Sequence, residues 1–442
     1  CYKCIRECAL KSIRFSENRA QIVERECVYC GHCYVTCPQS AKEIRRDTEK
    51  AKALIASGRP VIVSLAPSFI ADFGVGGLDG MRQALLKLGF ADVEETARGA
   101  KIVKTEYERM IASGEHKLII SSCCHSVNLL IQKRYPQALP YLAKVDSPML
   151  AHAKSIKERV PGSAVVFIGP CISKKEETTR YGQVDCVLTF DELIDWLAEE
   201  GIELPAGEQP DGTEARSRFF PTAGGIIRSM DLDDGFSYIP IDGLRRCMDA
   251  LEEIERGSMQ NCFVEMNACE GSCIGGPVMH RYHSAPITCK TRVEQYSGKS
   301  DRDFDDQPAD DLRKSMQYIG SGAVKPGEAA IQEVLHKLGK YRPEDELNCG
   351  TCGYSTCREK AIAVCQGKAD LTMCLPFLKA RAESFSGAVL DNTPNAIMAM
   401  DTKLIIQQAN ESAARLFGME SPREMMGMPI DAILGTVEYL QA

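Results

Sequence analysis

Cys27, Cys30, Cys33 and Cys37 stand within eleven residues of the run CVYCGHCYVTCP, a spacing suited to iron–sulfur chemistry. Three thiolates at this interval can each take one corner of a 4Fe-4S cubane, while the fourth, just ahead of Pro38, reaches a second cluster. The opening CYKCIREC supplies Cys1, Cys4 and Cys8, which fit the last three cysteines of a second such run whose first member would lie two residues before Cys1. A zinc ribbon is the competing reading, but zinc sites take their cysteines in pairs. A third set, Cys349, Cys352, Cys357 and Cys374 in NCGTCGYSTCREKAIAVCQGKADLTMC, can close one further site, with Gly350 and Gly353 letting the backbone approach the metal. Zinc is a stronger rival there. Cys365, at helical spacing from Cys357, reads as a small packing residue.

Adjacent Cys123 and Cys124, at the end of the apolar run LIISSCCHSV, pose a different question. Neighbouring cysteines reach disulfide geometry only with strain, so these two sulfurs are expected to serve different partners. Cys171 in GPCISKK follows another apolar run. Cys269 and Cys273 in VEMNACEGSC lie one helical turn apart and can hold adjacent atoms of one cofactor. Cys186, Cys247, Cys262 and Cys289 have no such context and read as structural thiols.

The 442-residue chain is 44% hydrophobic, carries a formal charge of -8 and contains 21 cysteines. That length fits about three domains, and the acidic balance argues against a nucleic-acid partner. No apolar run approaches the ~18–20 residues of a membrane span, and no secretory leader is visible. A reducing cytoplasm is the expected location, where so many thiols favour metal ligation over disulfides. Seven cysteines fall in 1–37, nine in 123–289 and five in 349–374.

These residues need elements to position them. SIRFSENRAQIVE alternates around a turn and reads as a hairpin between the first two cysteine runs. From about residue 58, the short apolar runs 60–65, 117–122 and 164–169 have the character of parallel strands covered on both faces. GMRQALLKLGF, SVNLLIQKRY, MLAHAKSIKER and DELIDWLAEE carry helical periodicity between and after them. In such an α/β domain ligands bind beyond the carboxyl ends of the strands. The tripeptide 66–68, the Cys123–Cys124 pair and Pro170 with Cys171 are therefore expected at one edge of one sheet. The expected domains are 1–50, an α+β iron–sulfur unit; 58–280, the α/β domain; 281–325, a connector; 326–380, a small cluster domain entered by the helix AAIQEVLHKLGK; and 383–442.

SSCCHSV, GPCISKK and EMNACEGSC resemble, in order and interval, the three signature segments of the FeFe-hydrogenase catalytic domain. The part before them resembles the 2×4Fe-4S ferredoxin-like domain of the same family. The resemblance implies that Cys124, Cys171, Cys269 and Cys273 hold a 4Fe-4S cluster and that Cys273 bridges to a diiron subsite carrying CO, cyanide and an azadithiolate. It gives Lys174 as donor to one cyanide and the segment with Pro67 and Ser68 as donor to the other, with Ser147 and Phe220 at further pocket positions. Cys123 resembles the thiol that passes a proton to the azadithiolate. Departures accompany these matches. Gly169 and Asn267 replace the usual methionines, His125 and Val127 replace the usual continuation of the first segment, and the third segment is shortened at CIGGP. The usual relay of two glutamates and a serine falls on Tyr107, Met110 and Ala143, with Glu106 and Glu108 each one residue off. Slow turnover is expected unless His125, Glu106 or Glu108 opens another path. His125 itself reads first as a surface residue at a helix start.

The last cysteine run resembles the small 4Fe-4S domain found in electron-transfer flavoprotein-type and corrinoid-protein partners. LDNTPNAIMAMDTKLIIQQANESAARLFG resembles the opening of a PAS sensor domain, too short to close a core and therefore expected to be mobile. The whole reads as a sensory hydrogenase acting on H2 and protons, with two ferredoxin-type clusters, one central and one C-terminal, a ferredoxin-like redox partner and a downstream signalling domain or protein. Homodimer formation stays open. A non-catalytic hydrogenase-like factor of cytosolic cluster assembly is the alternative. A pure electron carrier would explain the ends and leave the centre unexplained.

Overall fold

The computed structural model describes residues 1–205, 207, 215–257, 259–280, 283–301 and 312–434. The expected connector thus has 281–282 and 302–311 outside the described residues, as are 435–442 of the PAS-like segment. The chain forms two compact units, one of 1–14 and 19–324 and the other of 15–18 and 325–442.

The hairpin predicted between the first cysteine runs is present as β1 (Ile13–Ser16) and β2 (Arg19–Ile22), joined through Glu17 and Asn18, both at positive φ. The α/β core of the first unit contains β3 (Val61–Leu65), β4 (Asp92–Glu95), β5 (Leu118–Ile120), β6 (Ala164–Gly169), β7 (Cys186–Thr189), β8 (Ser237–Asp242) and β9 (Cys262–Asn267). Every pairing among them is parallel. They form two sheets, ordered β4-β3-β6-β7 and β5-β9-β8. This corrects the expectation of one sheet. Both edges of β3 are taken, by β4 and β6, so β5 has no place there and pairs with β9 instead. All residues of β3, β5, β6 and β9 are buried, as continuous apolar runs flanked by helices require.

Helices Leu78–Lys87, His125–Arg134, Pro148–Arg159 and Phe190–Glu199 occupy the periodic segments. Thr189 and Glu192 close a capping box at the last of these, fixing its start directly after β7. Helix Ala97–Ala112 crosses Pro148–Arg159 at Gly99, where a Cβ would meet the Pro148 carbonyl oxygen at 2.1 Å. The connector contributes a helix of its own, Pro286–Ser297, which buries Cys289, Val293 and Tyr296 in the core around β3 and β6.

In the second unit, helices Glu328–Lys337 and Cys357–Cys365 pack through Ile331, Val334, Leu335 and Ala361. After helix Leu375–Asn392 come β10 (Met398–Met400) and β11 (Ile406–Ala409), antiparallel, and helix Glu411–Leu416. Contrary to expectation, this segment closes a small core of Ile406, Ala413, Ala414, Met425 and Ile430. Asn410 makes that closure possible. Its Oδ1 accepts from Ala413 N and Ile397 N, both at 2.9 Å, and its amide donates to the Leu390 and Asn395 carbonyls.

Candidate metal centre

Each strand of interest ends in a residue with chemistry to offer. After β5, Cys124 is the extended residue ahead of helix His125–Arg134, and its sulfur accepts from Ala268 N at 3.5 Å. Cys171 follows β6, sharing a hydrogen bond with Ser173 Oγ at 3.1 Å. Beyond β9, Gly271 and Ser272 both take positive φ and turn the chain sharply between Cys269 and Cys273. A Cβ at Gly276 would meet the carbonyl oxygens of Cys273 and Pro170 at 2.9 and 3.0 Å, so only glycine lets these two loops meet.

The result is one cavity lined by Cys124, Cys171, Cys269 and Cys273 together with Cys123 and Lys174. Pro67, Ser68 and Phe220 also line it, as do Asn267 and Phe167. Ser147 does not. It is the residue ahead of helix Pro148–Arg159, and its neighbours Pro148 and Met149 reach the wall instead. Burial pushes the Cys124, Cys269 and Cys273 thiols up, and the mutual proximity of these cysteines and Cys171 pushes in the same direction. Those three crowded thiols are therefore poor thiolates alone, and together with Cys171 they are good ligands for a cationic cluster that would take up their charge.

Lys174 Nζ donates to the Cys123 carbonyl (3.1 Å) and to Glu177 (2.5 Å). Burial alone would lower its pKa, but Glu177 and the thiols of Cys171 and Cys124 hold it above the ordinary value, so the ammonium stays charged at the cavity wall. Ser68 Oγ is buried there without a hydrogen-bond partner, as is Ser272 Oγ. Such groups are costly unless a ligand satisfies them. A cubane on the four sulfurs, with an anionic, acceptor-bearing group beside Lys174 and Ser68, fits this donor set.

Cys123 lines the same cavity and meets Tyr107. The phenol and the thiol share a hydrogen bond of 3.3 Å, and Tyr107 also bonds Ser122 Oγ (3.0 Å) and accepts from Ser122 N (2.9 Å). Burial pushes Cys123 up to about 12 and lifts Tyr107 well above its usual value. Neither neighbouring glutamate substitutes for it. Glu106 pairs with Arg109 and Glu108 accepts from Asp231 N. His125 is not the surface residue expected. It starts its helix fully buried, with Nε2 bonded to Glu176, because the helix packs against Ser173–Tyr181.

Sequence reasoning overlooked Glu265. Its buried carboxyl, next to the Asn267 amide (3.1 Å) and accepting from Ile227 N (3.1 Å), is raised by desolvation to about 7. A lone glutamate inside the apolar run CFVEMN was the available signal.

Cys8, Cys27, Cys30 and Cys33 line a second cavity. Ser12 N and Tyr29 N donate to the Cys8 and Cys27 sulfurs at 3.4 and 3.3 Å, as amides around iron–sulfur ligands do. Burial drives Cys30 to about 12 and Cys33 to about 11. Cys30 and Cys269 line both cavities, so a single wall separates them. Cys1, Cys4 and Cys37 lie outside this set. Cys37 accepts from Ala41 N at 3.3 Å.

In the second unit Cys349, Cys352, Cys357 and Cys374 line a cavity with Lys340 and Lys360. Gly350 and Gly353 take φ of 67° and 91° there. Cys365 is exposed rather than packed, its thiol donating to the Ala330 carbonyl at 3.5 Å. Cys186, Cys247, Cys262 and Cys289 are buried, as structural thiols should be.

The model for the iron only hydrogenase large subunit, C-terminal domain, matches residues 59–233 and 228–277. A family model for an Fe-S cluster matches 345–376. The chain is 27% identical over 357 residues to the NADP-reducing hydrogenase subunit HndD of Solidesulfovibrio fructosivorans, covering 63% of this chain and 60% of that protein. It is 24% identical to the cytosolic iron-sulfur assembly component 3 of Rattus norvegicus, covering 74% and 68%. A solved variant of the [FeFe]-hydrogenase HydA1 from Chlamydomonas reinhardtii superposes with a TM-score of 0.51 at 19% identity, over 62% of this chain and 100% of that one. Residues 59–277 thus form a FeFe-hydrogenase-like large-subunit domain, and the chain is an iron–sulfur protein. It spans about 60% of the length of the HndD subunit.

Proposed function

We propose that the chain is a sensory FeFe hydrogenase, converting H2 and protons slowly and passing its redox state to a C-terminal signalling region. The observation that carries this reading is the single cavity shared by Cys124, Cys171, Cys269 and Cys273 with Lys174, Ser68 and Cys123. The four cysteines would hold a cubane, Cys273 extending to a diiron group whose chemistry, when bound, is reversible H2 cleavage. Lys174 keeps a charged donor on the wall, Ser68 offers a spare hydroxyl, and Pro67 and Phe220 shed water. Cys123 holds a proton at Sγ. Its neighbour Tyr107 is a buried phenol, which gives up a proton far less readily than a carboxylate, and slow proton supply follows.

The N-terminal cysteines would carry electrons from a ferredoxin-type partner, reaching the centre across the wall at Cys30 and Cys269. The set at 349, 352, 357 and 374 would hold the cluster that reports to the PAS-like segment and a downstream partner, in a cytoplasmic protein.

The test is anaerobic maturation followed by infrared spectroscopy. Bands of CO and cyanide are expected, and their absence from iron-replete protein defeats the proposal. In that event the second reading, a non-catalytic cluster-assembly factor, gains the ground. The similarity to assembly component 3 favours it, but the charged lysine and spare serine at the cavity would then have no purpose.

A further inference from the structure

Behind the Lys174 wall lies a buried charge cluster that includes a residue from outside the matched domain. Glu177 is wholly buried and binds Lys174 through Oε2 and Lys314 through Oε1. His125 Nδ1 stands 3.8 Å from that same Oε1. The Lys314 side chain is 0% exposed, with Nζ 4.5 Å from the centre of the Tyr181 ring. Burying an ammonium this deeply is expensive without a partner, so the Glu177 carboxylate is what makes the position tenable.

Lys314 arrives on a strap, 312–320, that is neither helix nor strand. Several attachments lace it down. Asp146 N donates to Leu312 O (2.8 Å), Lys314 N to Lys144 O (2.9 Å) and Ile319 N to Gln132 O (2.9 Å). Tyr181 Oη donates to Ser315 O (3.2 Å). Met316 packs into the core that contains Val127 and Met266. The strap is thus fixed against the elements that carry Cys123, Cys124 and Lys174.

A lysine ammonium has three donor hydrogens. For Lys174, the Cys123 carbonyl and Glu177 Oε2 take two, and the third is left for an acceptor in the cavity. Were Oε1 of Glu177 vacant, the carboxylate could take Lys174 on both oxygens and draw that third hydrogen back from the cavity. We propose that Lys314 is a positioning residue: by occupying Oε1 of Glu177 it confines Lys174 to Oε2 and keeps the remaining ammonium hydrogen turned toward an anionic ligand in the cavity. The inference rests on the hydrogenase reading above.

The test uses the full chain with Lys314→Met and Lys314→Arg. In matured protein, K314M should displace the infrared band of the cyanide facing Lys174, and K314R should restore it. In protein reconstituted with the central cubane alone, K314M should move that cubane's midpoint potential to more negative values, because a buried positive charge has gone. If K314M does not fold, the polar but shorter and uncharged K314Q, which leaves the Glu177 carboxylate intact, should show the same displaced band. A band or a potential left at its wild-type value overturns the proposal, as does a K314R protein displaced as far as K314M. Wild-type protein without cyanide bands would instead defeat the hydrogenase reading, an outcome visible before any substitution is made.

Discussion

The N-terminal cavity draws Cys8, Cys27, Cys30 and Cys33 from the two short cysteine runs on either side of one hairpin, and nearby backbone amides serve the Cys8 and Cys27 sulfurs. The central cavity draws Cys124, Cys171, Cys269 and Cys273 from the ends of strands in two different sheets and adds a charged lysine, an unpartnered serine hydroxyl and a second thiol. The difference teaches what each can do. A local thiol cage is enough to store an electron, while chemistry on a bound ligand needs donors of several kinds converging from elements that the chain brings together only by folding.

The comparison can be broken most decisively at the second thiol. Cys123→Ser in matured protein should lower H2 turnover by roughly 10²- to 10⁴-fold, the usual worth of a placed acid, while iron content and the spectra of the N-terminal cluster stay unchanged. Turnover equal to wild type would reduce the central cavity to a cage like the other. Next in size, Cys171→Ser should remove one cubane's iron from the protein and leave the N-terminal signal intact, and Cys33→Ser should do the reverse. Loss of both signals from either variant would show that the cavities assemble as one.

A smaller effect concerns the scaffold. Gly99→Ala places a methyl against the Pro148 carbonyl and should cost about 1–3 kcal/mol by overpacking, read as a lower midpoint of chemical denaturation, with the N-terminal cluster's spectrum unaffected in the folded protein. The smallest is the pH response of the same region. Burial works to raise Glu94, but its bonds to His152 and Arg159 win and hold it at about 2, against an ordinary 4.5. A depressed carboxylate stabilises fully above its unfolded value, and that contribution drains away as pH falls from 4.5 toward 2. Glu94→Gln should therefore flatten the acid limb of the stability curve across this window, and an unchanged acid limb would show that these pairs do not support the central scaffold.

Much of this was readable in advance because it is local. The hairpin between the cysteine runs, the helices after each strand and the grouping of Cys349, Cys352, Cys357 and Cys374 depend on spacing and periodicity over a few turns of chain. What stayed hidden depends on contacts between distant segments. Asn267 was noticed only as a departure, and nothing in CFVEMN marks its glutamate as the partner of Asn267 or of the amide at Ile227. The register did place Tyr107 at the first relay position, with Glu106 and Glu108 one residue off as other paths, but that its phenol bonds the Cys123 thiol appears only in the fold.

By itself the sequence determined that cysteines at iron–sulfur spacing would gather at both ends, in 27–37 and 349–374, since four sulfurs within a short run can hardly avoid one another. It also determined that an α/β domain would stand between the ends, because apolar runs of strand length alternate with amphipathic segments. Only the tertiary structure decided that the strands split into two sheets, that His125 is sealed inside, and that Lys314 reaches Glu177 from far along the chain. Those outcomes turn on which strand edges are already paired and which buried charge needs a counter-charge, and such competitions are resolved only when the whole core packs at once.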